Sequence, residues 1–348
     1  AYCLCHRSLF HAGGCAMSGV QHRAVKPDDD GMRLDRWFRK YFAGLTHSRL
    51  EKLLRQGRIR LDGTRAKAND RVQTGQQVRV PPEVPRDGQS PTPASGRVWQ
   101  SLVEGLRASV VHRDQHLLVL NKPSGLAVQG GSKTSQHVDG VLPELTFGAP
   151  EVPRLVHRLD RDTSGLLVLA RNRKAAQFLT RQFADQTVEK IYWALVYGVP
   201  RPSHGTITAP LAKRAAADGG ERVFPVEKGD PDAMRAVTDF AEIARVGQRF
   251  TWMAFRPRTG RTHQIRAHAT AMGHPLVGDG KYRSEAENAD HGGLLPKKLH
   301  LHARSIKMPH PAGGTFSALA PLRDHMADTW DVLDFELEDG LSPFAEEA

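Results

Sequence analysis

The most concentrated group of polar residues in the 348-residue chain is the segment 157–165, which reads HRLDRDTSG. It contains two carboxylates, Asp160 and Asp162, and it leads directly into the apolar run at 166–170. A loop that enters a buried strand is anchored at one end and can present its side chains to a cleft. A carboxylate held in this way can attack a carbon as a nucleophile or remove a proton as a base. The residues alone leave both routes open.

A second segment, VEKIYWALVYG at 188–198, has the alternation of a β-strand. Successive side chains of a strand point to opposite faces, so Lys190 and Tyr192 share one face. Trp193 and Tyr197 point to the other face and are predicted to pack in the core. Tyr192 is therefore a candidate for contact with a planar ligand, although strand tyrosines also serve simply as packing residues.

A third segment, RTGRTHQIRAH at 258–268, changes from a strand pattern to a helix pattern. Thr262 is predicted to cap a helix over 263–272. His263 and Arg266 then lie three residues apart on one face of that helix. A guanidinium at a fixed helical position can form a bidentate pair with a carboxylate and keep it ionised and oriented.

Metal chemistry is not predicted. Five histidines in the second half of the chain could suggest zinc, but no acidic or thiol partner completes their spacing: His263, His268, His274, His300 and His302. The last two alternate with leucines, which indicates a half-buried strand. All three cysteines lie within the first fifteen residues, which leaves the rest of the chain without thiols for a disulfide or a zinc-thiolate site.

Together, HRLDRDTSGLLVLARN, the KxYxAxVxG pattern and TGRTHQIRAH resemble the three motifs of the RluA-type RNA pseudouridine synthases. The resemblance implies that Asp160 is the catalytic residue, and that Tyr192 stacks on the target uracil and helps to remove its C5 proton. It also implies that Arg266 pairs with Asp160 and that Arg158 occupies the space left by a flipped-out uridine. No cofactor is implied. A surface ion pair is the alternative for an aspartate flanked by arginines.

Matches to this family extend over about 110–310. Segment 121–125, NKPSG, is one of them, and GDGKY at 278–282 is another, to which we assign a structural role. The resemblance implies a set of residues that line the cleft: Asn121, Lys122, Thr163, Ser164, Gly165, His263 and Gln264.

The reaction of this family detaches uracil N1 from ribose C1′ and reattaches the base through C5. One carboxylate can assist by attacking C1′ or by removing the C2′ proton. A glycosidase normally needs two carboxylates and consumes water, and no second carboxylate accompanies Asp160 in a comparable motif. A nucleoside hydrolase or glycosidase is therefore a weaker alternative. A noncatalytic RNA-binding or ribosome-assembly protein is the other.

Positive charge is concentrated near the N-terminus. The chain has 49 Lys and Arg against 38 Asp and Glu, a net charge of +11. Residues 31–80 alone hold thirteen Lys and Arg against four acids, an excess of nine positive charges, which favours a polyanionic partner. Their pattern of two basic amphipathic helices and short strands resembles the S4 RNA-binding domain. Six basic residues are candidates for phosphate contacts: Arg33, Arg36, Arg49, Lys52, Arg55 and Arg58.

The predicted fold class is α+β. A small S4-like (αL) RNA-binding domain precedes a pseudouridine synthase domain with a mixed, mainly antiparallel β-sheet flanked by helices, one of which Asn172 caps over 173–184. Met17 is the predicted translation start, with a short targeting peptide as the alternative. The predicted segments are a disordered extension at 1–30, the S4-like domain at 31–80, a Pro/Gly-rich linker at 81–107, the synthase domain at 108–333 and a disordered acidic tail at 334–348.

Within the family, the N-terminal arrangement and the stretch VVHRDQHLLVLNKPSGLAVQGGS are most similar to the C-type synthases of large-subunit ribosomal RNA, and the D type shares the architecture. The expected partner is large-subunit ribosomal RNA, either free or in an assembling ribosomal particle. No apolar run reaches the ~18 residues of a membrane helix. We therefore expect no membrane contact. The absence of cysteines after residue 15 fits a reducing cytoplasm, and a monomer is the default expectation.

Overall fold

The computed structural model divides the chain into two compact units, residues 1–96 and 97–348. It describes residues 20–42, 45, 47–84, 96–130, 136–216, 221–282, 295–340 and 343–344. The α+β fold class predicted from the sequence is confirmed.

The N-terminal unit combines two helices with a four-stranded antiparallel sheet in the order β1-β4-β2-β3. Its elements are β1 (Gln21–Ala24), α1 (Leu34–Tyr41), α2 (His47–Arg55), β2 (Arg60–Leu61), β3 (Thr64–Arg65) and β4 (Gln77–Val80), with a 3-10 helix at Pro27–Asp29. The apolar positions of both helices and of the strands form one core: Leu34, Trp37, Phe38, Leu50, Leu53, Leu54, Ile59, Val72 and Val78. This is the arrangement that the alternation of apolar and basic residues predicts.

The N-terminal unit begins earlier than we predicted. Strand β1 pairs with β4, with Gln21 opposite Val80. Asp29 is fully buried, and its carboxylate accepts hydrogen bonds from Lys40 Nζ at 2.5 Å and Tyr41 Oη at 2.6 Å. The segment before residue 31 is therefore folded from strand β1 onward, and the prediction of a disordered extension is wrong there. Met17 lies outside the described residues.

A ten-stranded sheet forms the centre of the C-terminal unit, in the order β10-β13-β14-β9-β15-β8-β6-β5, with β16 paired to β15 and β7 to β8. Among the strands that the structure describes in this sheet, β15 and β8 alone pair in parallel, so the prediction of a mixed, mainly antiparallel sheet is confirmed. The strands are β5 (Val110–Arg113), β6 (Leu117–Lys122), β7 (Arg154–Leu155), β8 (Ser164–Ala170), β9 (Glu189–Tyr197), β10 (His204–Thr208), β13 (Val237–Val246), β14 (Phe250–Pro257), β15 (Leu301–Pro309) and β16 (Thr315–Leu319). A hairpin joins β11 (Leu211–Ala215) and β12 (Glu221–Pro225).

Five α-helices of the described residues accompany this sheet. They are α3 (Gly96–Ala108), α4 (Val138–Val141), α5 (Arg173–Ala184), α6 (Gln264–Ala271) and α7 (His325–Val332), with 3-10 helices at Leu142–Leu145 and Leu337–Gly340. In the part of the chain that the structure describes, no helix has both the length and the apolar character needed to cross a bilayer.

The predicted linker at 81–107 is too long at its C-terminal end. Helix α3 begins at Gly96, and its residues Val103 and Leu106 are buried in the same apolar cluster as residues of β6 and β8. The proline-rich residues 85–95 lie outside the described part of the chain.

Two local predictions in the C-terminal unit are confirmed. Asn172 caps helix α5, because its side chain accepts a hydrogen bond from the Ala175 N–H at 2.8 Å. Trp193 lies in the core, as its position in the strand predicts. Tyr197 packs partly buried against the same cluster.

Helix α6 begins differently from the prediction. The residue at its N-cap is His263 rather than Thr262, and the backbone of His263 is left-handed, with φ +53°. The Gln264 side chain accepts hydrogen bonds from the Arg261 N–H at 3.0 Å and from the Thr259 hydroxyl at 2.7 Å. A side chain inside the helix, and not a threonine cap, therefore closes the preceding turn.

The middle of the sheet positions the segment around Asp160. Gly165 on β8 is opposite Ala303 on β15, and Ala303 is opposite Tyr192 on β9. A Cβ at Gly165 would lie 2.3 Å from the Ala303 carbonyl oxygen, and its φ of +104° also requires glycine. Strand pairing thus brings the loop that precedes β8 next to Tyr192.

The acidic tail after Asp334 is not disordered throughout. Phe335 and Phe344 pack against the tryptophan-rich cluster of the main sheet. At Gly340, a Cβ would lie 2.4 Å from the Trp193 ring, so the backbone of the tail is in direct contact with the core. The prediction of a disordered tail is wrong for these residues, because aromatic side chains fix it to the sheet.

Two histidines beside the start of β15 are more deeply buried than predicted. His300 and His302 have no exposed surface and bond to Thr329 Oγ1 at 2.9 Å and to Ser164 Oγ at 2.8 Å. Burial lowers the pKa of each imidazole to about 4. Both rings are therefore neutral at pH 7.

Candidate active site

The three predicted motifs meet in one cleft of the C-terminal unit, with a volume of about 290 Å³. The loop before β8 contributes Arg158 and Asp160, strand β9 contributes Tyr192, and the turn into α6 contributes His263 and Arg266. The sheet therefore assembles side chains that are more than one hundred residues apart in sequence.

Arg266 is shared between two carboxylates. Its Nη1 lies 3.5 Å from Asp160 Oδ2. Its shortest bonds run instead to Asp279, from Nε to Oδ2 at 2.7 Å and from Nη2 to Oδ1 at 2.6 Å. The sequence analysis predicted that Arg266 pairs with Asp160. In the structure, the bidentate ion pair of Arg266 is instead with Asp279.

Asp279 is a residue of this site that the sequence analysis did not single out. Its side chain is fully buried, and Oδ1 also accepts the Lys281 N–H at 2.9 Å, so the carboxylate is held by its own turn. Burial lowers the pKa of the Arg266 guanidinium, but the bonds to Asp279 and the charge of Asp160 outweigh it and keep that pKa above its usual value. The GDGKY segment at 278–282, which contains Asp279, was the sequence feature that could have pointed to this residue.

His263 contacts both Asp160 and Tyr282. Its Nε2 lies 3.7 Å from Asp160 Oδ2, and its Nδ1 lies 3.0 Å from Tyr282 Oη. Burial lowers the pKa of the imidazole despite the nearby charge of Asp160. The backbone of His263 is left-handed, with φ +53°, a conformation that is uncommon for residues other than glycine.

Tyr192 lies partly buried in the cleft. Burial and the charge of Asp160 raise the pKa of its phenol, so the hydroxyl stays protonated at neutral pH. A protonated, half-buried ring is suited to stacking against a base. It is a poor candidate for a resting phenolate base.

Arg158 stands exposed at the edge of the cleft. Its guanidinium makes no hydrogen bond or ion pair with any residue that the structure describes. An unconstrained cationic side chain at this place can move into a nucleic-acid helix without first breaking an internal contact.

Only part of the predicted cleft-lining set faces the cleft. Thr163, His263 and Gln264 do so. The other four members lie behind its wall: Asn121, Lys122, Ser164 and Gly165. Asn121 donates from Nδ2 to the Pro321 carbonyl at 2.9 Å, and Ser164 bonds to His302. A sequence motif shows that residues belong together, but not which side of the loop each one occupies.

Lys122 braces the loop that carries Asp160. Its fully buried Nζ donates to the carbonyls of Pro123 at 2.9 Å, Leu126 at 2.8 Å and Arg161 at 3.0 Å. Burial lowers the pKa of the ammonium to about 7, although the charges of Asp162 and Asp160 oppose the shift. Lys122 thus connects the 122–126 turn with the loop that carries Asp160.

The six basic candidates of the N-terminal unit are all exposed: Arg33, Arg36, Arg49, Lys52, Arg55 and Arg58. Arg33 forms an ion pair with Asp35 at 2.7 Å, and Arg58 forms one with Glu83. Arg60 and Arg79, which we did not single out, line a shallow basic concavity with Arg58. Despite these two ion pairs, the surface of the N-terminal unit is strongly cationic.

Comparison with known proteins identifies the family of this chain. The family described as RNA pseudouridylate synthase matches residues 116–271, and the S4 domain family matches residues 32–78. The ribosomal large subunit pseudouridine synthase C of Vibrio cholerae is 37% identical over 319 residues, 88% of this chain and 95% of that protein. The chain belongs to the RNA pseudouridine synthase family. The synthase is thus an isomerase, and the resemblance seen in its motifs is confirmed.

Other relatives of the synthase extend the comparison. An uncharacterized RNA pseudouridine synthase of Synechocystis sp. is 33% identical over 309 residues, 85% of this chain and 87% of that protein. The solved structure of human RNA pseudouridylate synthase domain containing 4 superposes with a TM-score of 0.59 at 28% identity, over 69% of this chain and 99% of that one. The catalytic fold is therefore shared as well as the sequence.

Proposed function

We propose that this synthase converts uridine to pseudouridine in large-subunit ribosomal RNA, with Asp160 as the essential carboxylate. The observation that carries the proposal is the placing of Asp160 in a cleft between Tyr192 and Arg266, with Arg266 3.5 Å away. Several relatives are named ribosomal large subunit pseudouridine synthase C, which supports the choice of RNA.

The chemistry assigned to Asp160 begins at the ribose. The carboxylate either attacks C1′ or removes the C2′ proton, and the bond from C1′ to N1 breaks. The detached uracil turns within the cleft and C5 bonds to C1′. In the first route this displaces Asp160 from C1′, and in the second the proton returns to C2′. C5 then loses its proton, and N1 takes up a proton in its place. Reactant and product are isomers, so no cofactor or external water is consumed. Tyr192 holds the base by stacking while it turns.

Access to a stacked uridine requires the nucleotide to flip out, which costs a few kcal/mol. Arg158 is placed to support this step, since it is exposed and makes no bond with any described residue. We assign it to the space that the uridine vacates. The basic N-terminal unit adds affinity through phosphate contacts that do not depend on sequence.

The finer parts of the proposal rest on the names of the relatives and on charge. We propose C-type rather than D-type target uridines, action as a cytoplasmic monomer, and a substrate that is either free RNA or an assembling ribosomal particle. The names of the Vibrio and Salmonella relatives support the C type.

The test is pseudouridine mapping by carbodiimide-blocked primer extension on large-subunit ribosomal RNA and on ribosomal particles. Wild-type protein should produce new stops at a few uridines, and Asp160→Asn should produce none. Stops with both proteins would remove Asp160 from the mechanism. RNA binding without any stops would favour a noncatalytic RNA-binding protein.

A further inference from the structure

One wall of the cleft carries a cation that the mechanism above does not use. Lys190 precedes Tyr192 by two residues on β9, shares its face and lines the cleft. Its side chain is partly buried, and its Nζ lies 5.9 Å from the centre of the Phe183 ring. Within the described part of the chain, Lys190 makes no hydrogen bond and no ion pair.

His157 supplies a second donor on the same wall. Its Nε2 accepts a hydrogen bond from the Val168 N–H at 2.8 Å, so in the neutral ring the proton is on Nδ1. Burial, with a smaller effect from the charge of Lys190, lowers the pKa of the imidazole to about 3, and the ring therefore stays neutral. The ring is fixed by stacking on Phe183 at 4.5 Å. Its Nδ1–H bonds to no described residue.

Among the residues that the structure describes, neither donor has an acceptor. Asp160 is the only carboxylate among the described residues that line the cleft, and its contacts are with Arg266 and His263. The remaining neighbours on the wall are Phe183 and the exposed Gln186. Burial lowers the pKa of the Lys190 ammonium, as expected where no anion compensates the loss of water. An anionic group of the substrate would supply an acceptor for both donors.

We propose that Lys190 and His157 form a subsite for a backbone phosphate of the RNA beside the flipped uridine, an inference that rests on the proposed function. Phosphate is the anion that RNA carries at every nucleotide, and an ammonium and an N–H are both suitable donors to it. Lys190 lies roughly 7 Å along the strand from Tyr192, a distance comparable with the size of one nucleotide. A base stacked on Tyr192 would therefore have a neighbouring phosphate within reach.

The test combines Lys190→Met with neutral linkages in the RNA. The probe is a hairpin that contains a uridine mapped as a target of the wild-type enzyme, made with one methylphosphonate at each position near that uridine in turn. Lys190→Met should weaken binding about tenfold and reduce the slope of log Kd against log salt by about 1. One neutral linkage should weaken binding of wild-type protein and leave that of Lys190→Met unchanged, because both changes remove the same contact.

Two controls separate this contact from general charge and from folding. Lys174→Met removes an exposed lysine of helix α5 outside the cleft, and it should leave sensitivity to that linkage intact. Lys190→Arg should keep most of the salt slope. Thermal unfolding of Lys190→Met should occur at the same or a higher temperature, since methionine fills the space without a buried charge.

Two results would overturn the subsite. One is a Lys190→Met protein with the wild-type salt slope and the wild-type response to every methylphosphonate. The other is a loss of turnover with unchanged affinity, which would place Lys190 on the uracil instead. If wild-type protein formed no pseudouridine in any RNA, the proposed function would fail, and salt slopes with an RNA that the protein binds would still decide the subsite.

Discussion

At the scale of single residues, the cleft depends on how two carboxylates share Arg266. Asp279 takes the two short bonds, and Asp160 takes one contact of 3.5 Å. Strong charge-assisted bonds occupy the lone pairs of an oxygen, so a carboxylate engaged as tightly as Asp279 would be a weak nucleophile or base. Asp160 has only the longer contact with the guanidinium, so its oxygens stay available to react.

Replacing Asp160 by asparagine should abolish pseudouridine formation and change RNA affinity less than about threefold, because only the reacting oxygen is lost. Single-turnover assays and filter binding on the same RNA measure the two quantities. Asp162→Asn is the matched control, since Asp162 is an exposed carboxylate of the same loop, and it should retain activity. If Asp162→Asn were inactive and Asp160→Asn active, Asp162 rather than Asp160 would be the essential carboxylate.

Replacing Asp279 by asparagine should lower the single-turnover rate by about 10–100-fold, because Arg266 would turn its paired donors toward Asp160. The free energy of unfolding should fall by about 3 kcal/mol, since a buried ion pair loses one member. Urea unfolding and single-turnover rates test both effects. Equal rates in mutant and wild type would show that Asp279 does not orient Arg266.

At the scale of elements, the loop that carries Asp160 is held by strand β8 and also by the turn that follows β6. Lys122 at the end of β6 binds the Arg161 carbonyl, and Ser124 donates to the Asp162 carbonyl at 2.8 Å. In the opposite direction, Arg161 Nε donates a hydrogen bond to the Gly125 carbonyl at 3.0 Å. Two segments far apart in sequence thus form one rigid support for Asp160.

Lys122→Met should remove three hydrogen bonds to carbonyls and leave the loop loose. We expect a fall in the single-turnover rate of about tenfold or more with RNA affinity unchanged, because a small displacement of Asp160 is enough to slow the reaction. Hydrogen exchange of the 158–163 amides should rise. The exposed Lys174→Met provides the control, and a mutant with normal rate and normal exchange would contradict the bracing role.

The buried histidines around β15 predict acid sensitivity. His300 and His302 have pKa values lowered to about 4, whereas in the unfolded chain they titrate near 6.5. The unfolded state therefore binds more protons between pH 6.5 and 4, so stability is complete above pH 6.5 and is lost as the pH falls through this window. Urea unfolding at pH 7.5 and pH 5 should differ by about 2 kcal/mol for each histidine.

His302→Gln should reduce this dependence, whereas substitution of the exposed His204 by glutamine should not. The free energy of unfolding at pH 7.5 serves as the reference for each variant. If the free energy of unfolding changed with pH by the same amount in both variants and in the wild type, His302 would be excluded as a source of the acid sensitivity.

At the scale of the whole molecule, we propose that the N-terminal unit supplies most of the affinity for RNA and that the C-terminal unit carries out the chemistry. The N-terminal unit carries the dense basic surface, and the C-terminal unit carries the cleft. Phosphate contacts raise affinity for any RNA and weaken with salt. The choice of uridine and the isomerisation then depend on the cleft.

A triple substitution of Arg36, Lys52 and Arg55 by glutamine should weaken RNA binding and lower the salt slope by about 2, because exposed cations of the N-terminal unit are removed. The single-turnover rate at saturating protein should stay within about twofold. The matched control replaces Lys174, Arg201 and Lys228, which are exposed on the C-terminal unit. Equal salt slopes in both triple variants would remove the special role of the N-terminal unit.

Local sequence determined the family, the order of its motifs, the two basic helices and the capped helix α5. Each of these depends on residues within about fifteen positions, so periodicity and turn chemistry are sufficient. The tertiary structure alone decided that Asp279 is the paired partner of Arg266, that Lys122 lies behind the loop, and that β1 and the acidic tail join the packed units. Such contacts depend on which chain segments the sheet brings together, and a local pattern contains no information about that.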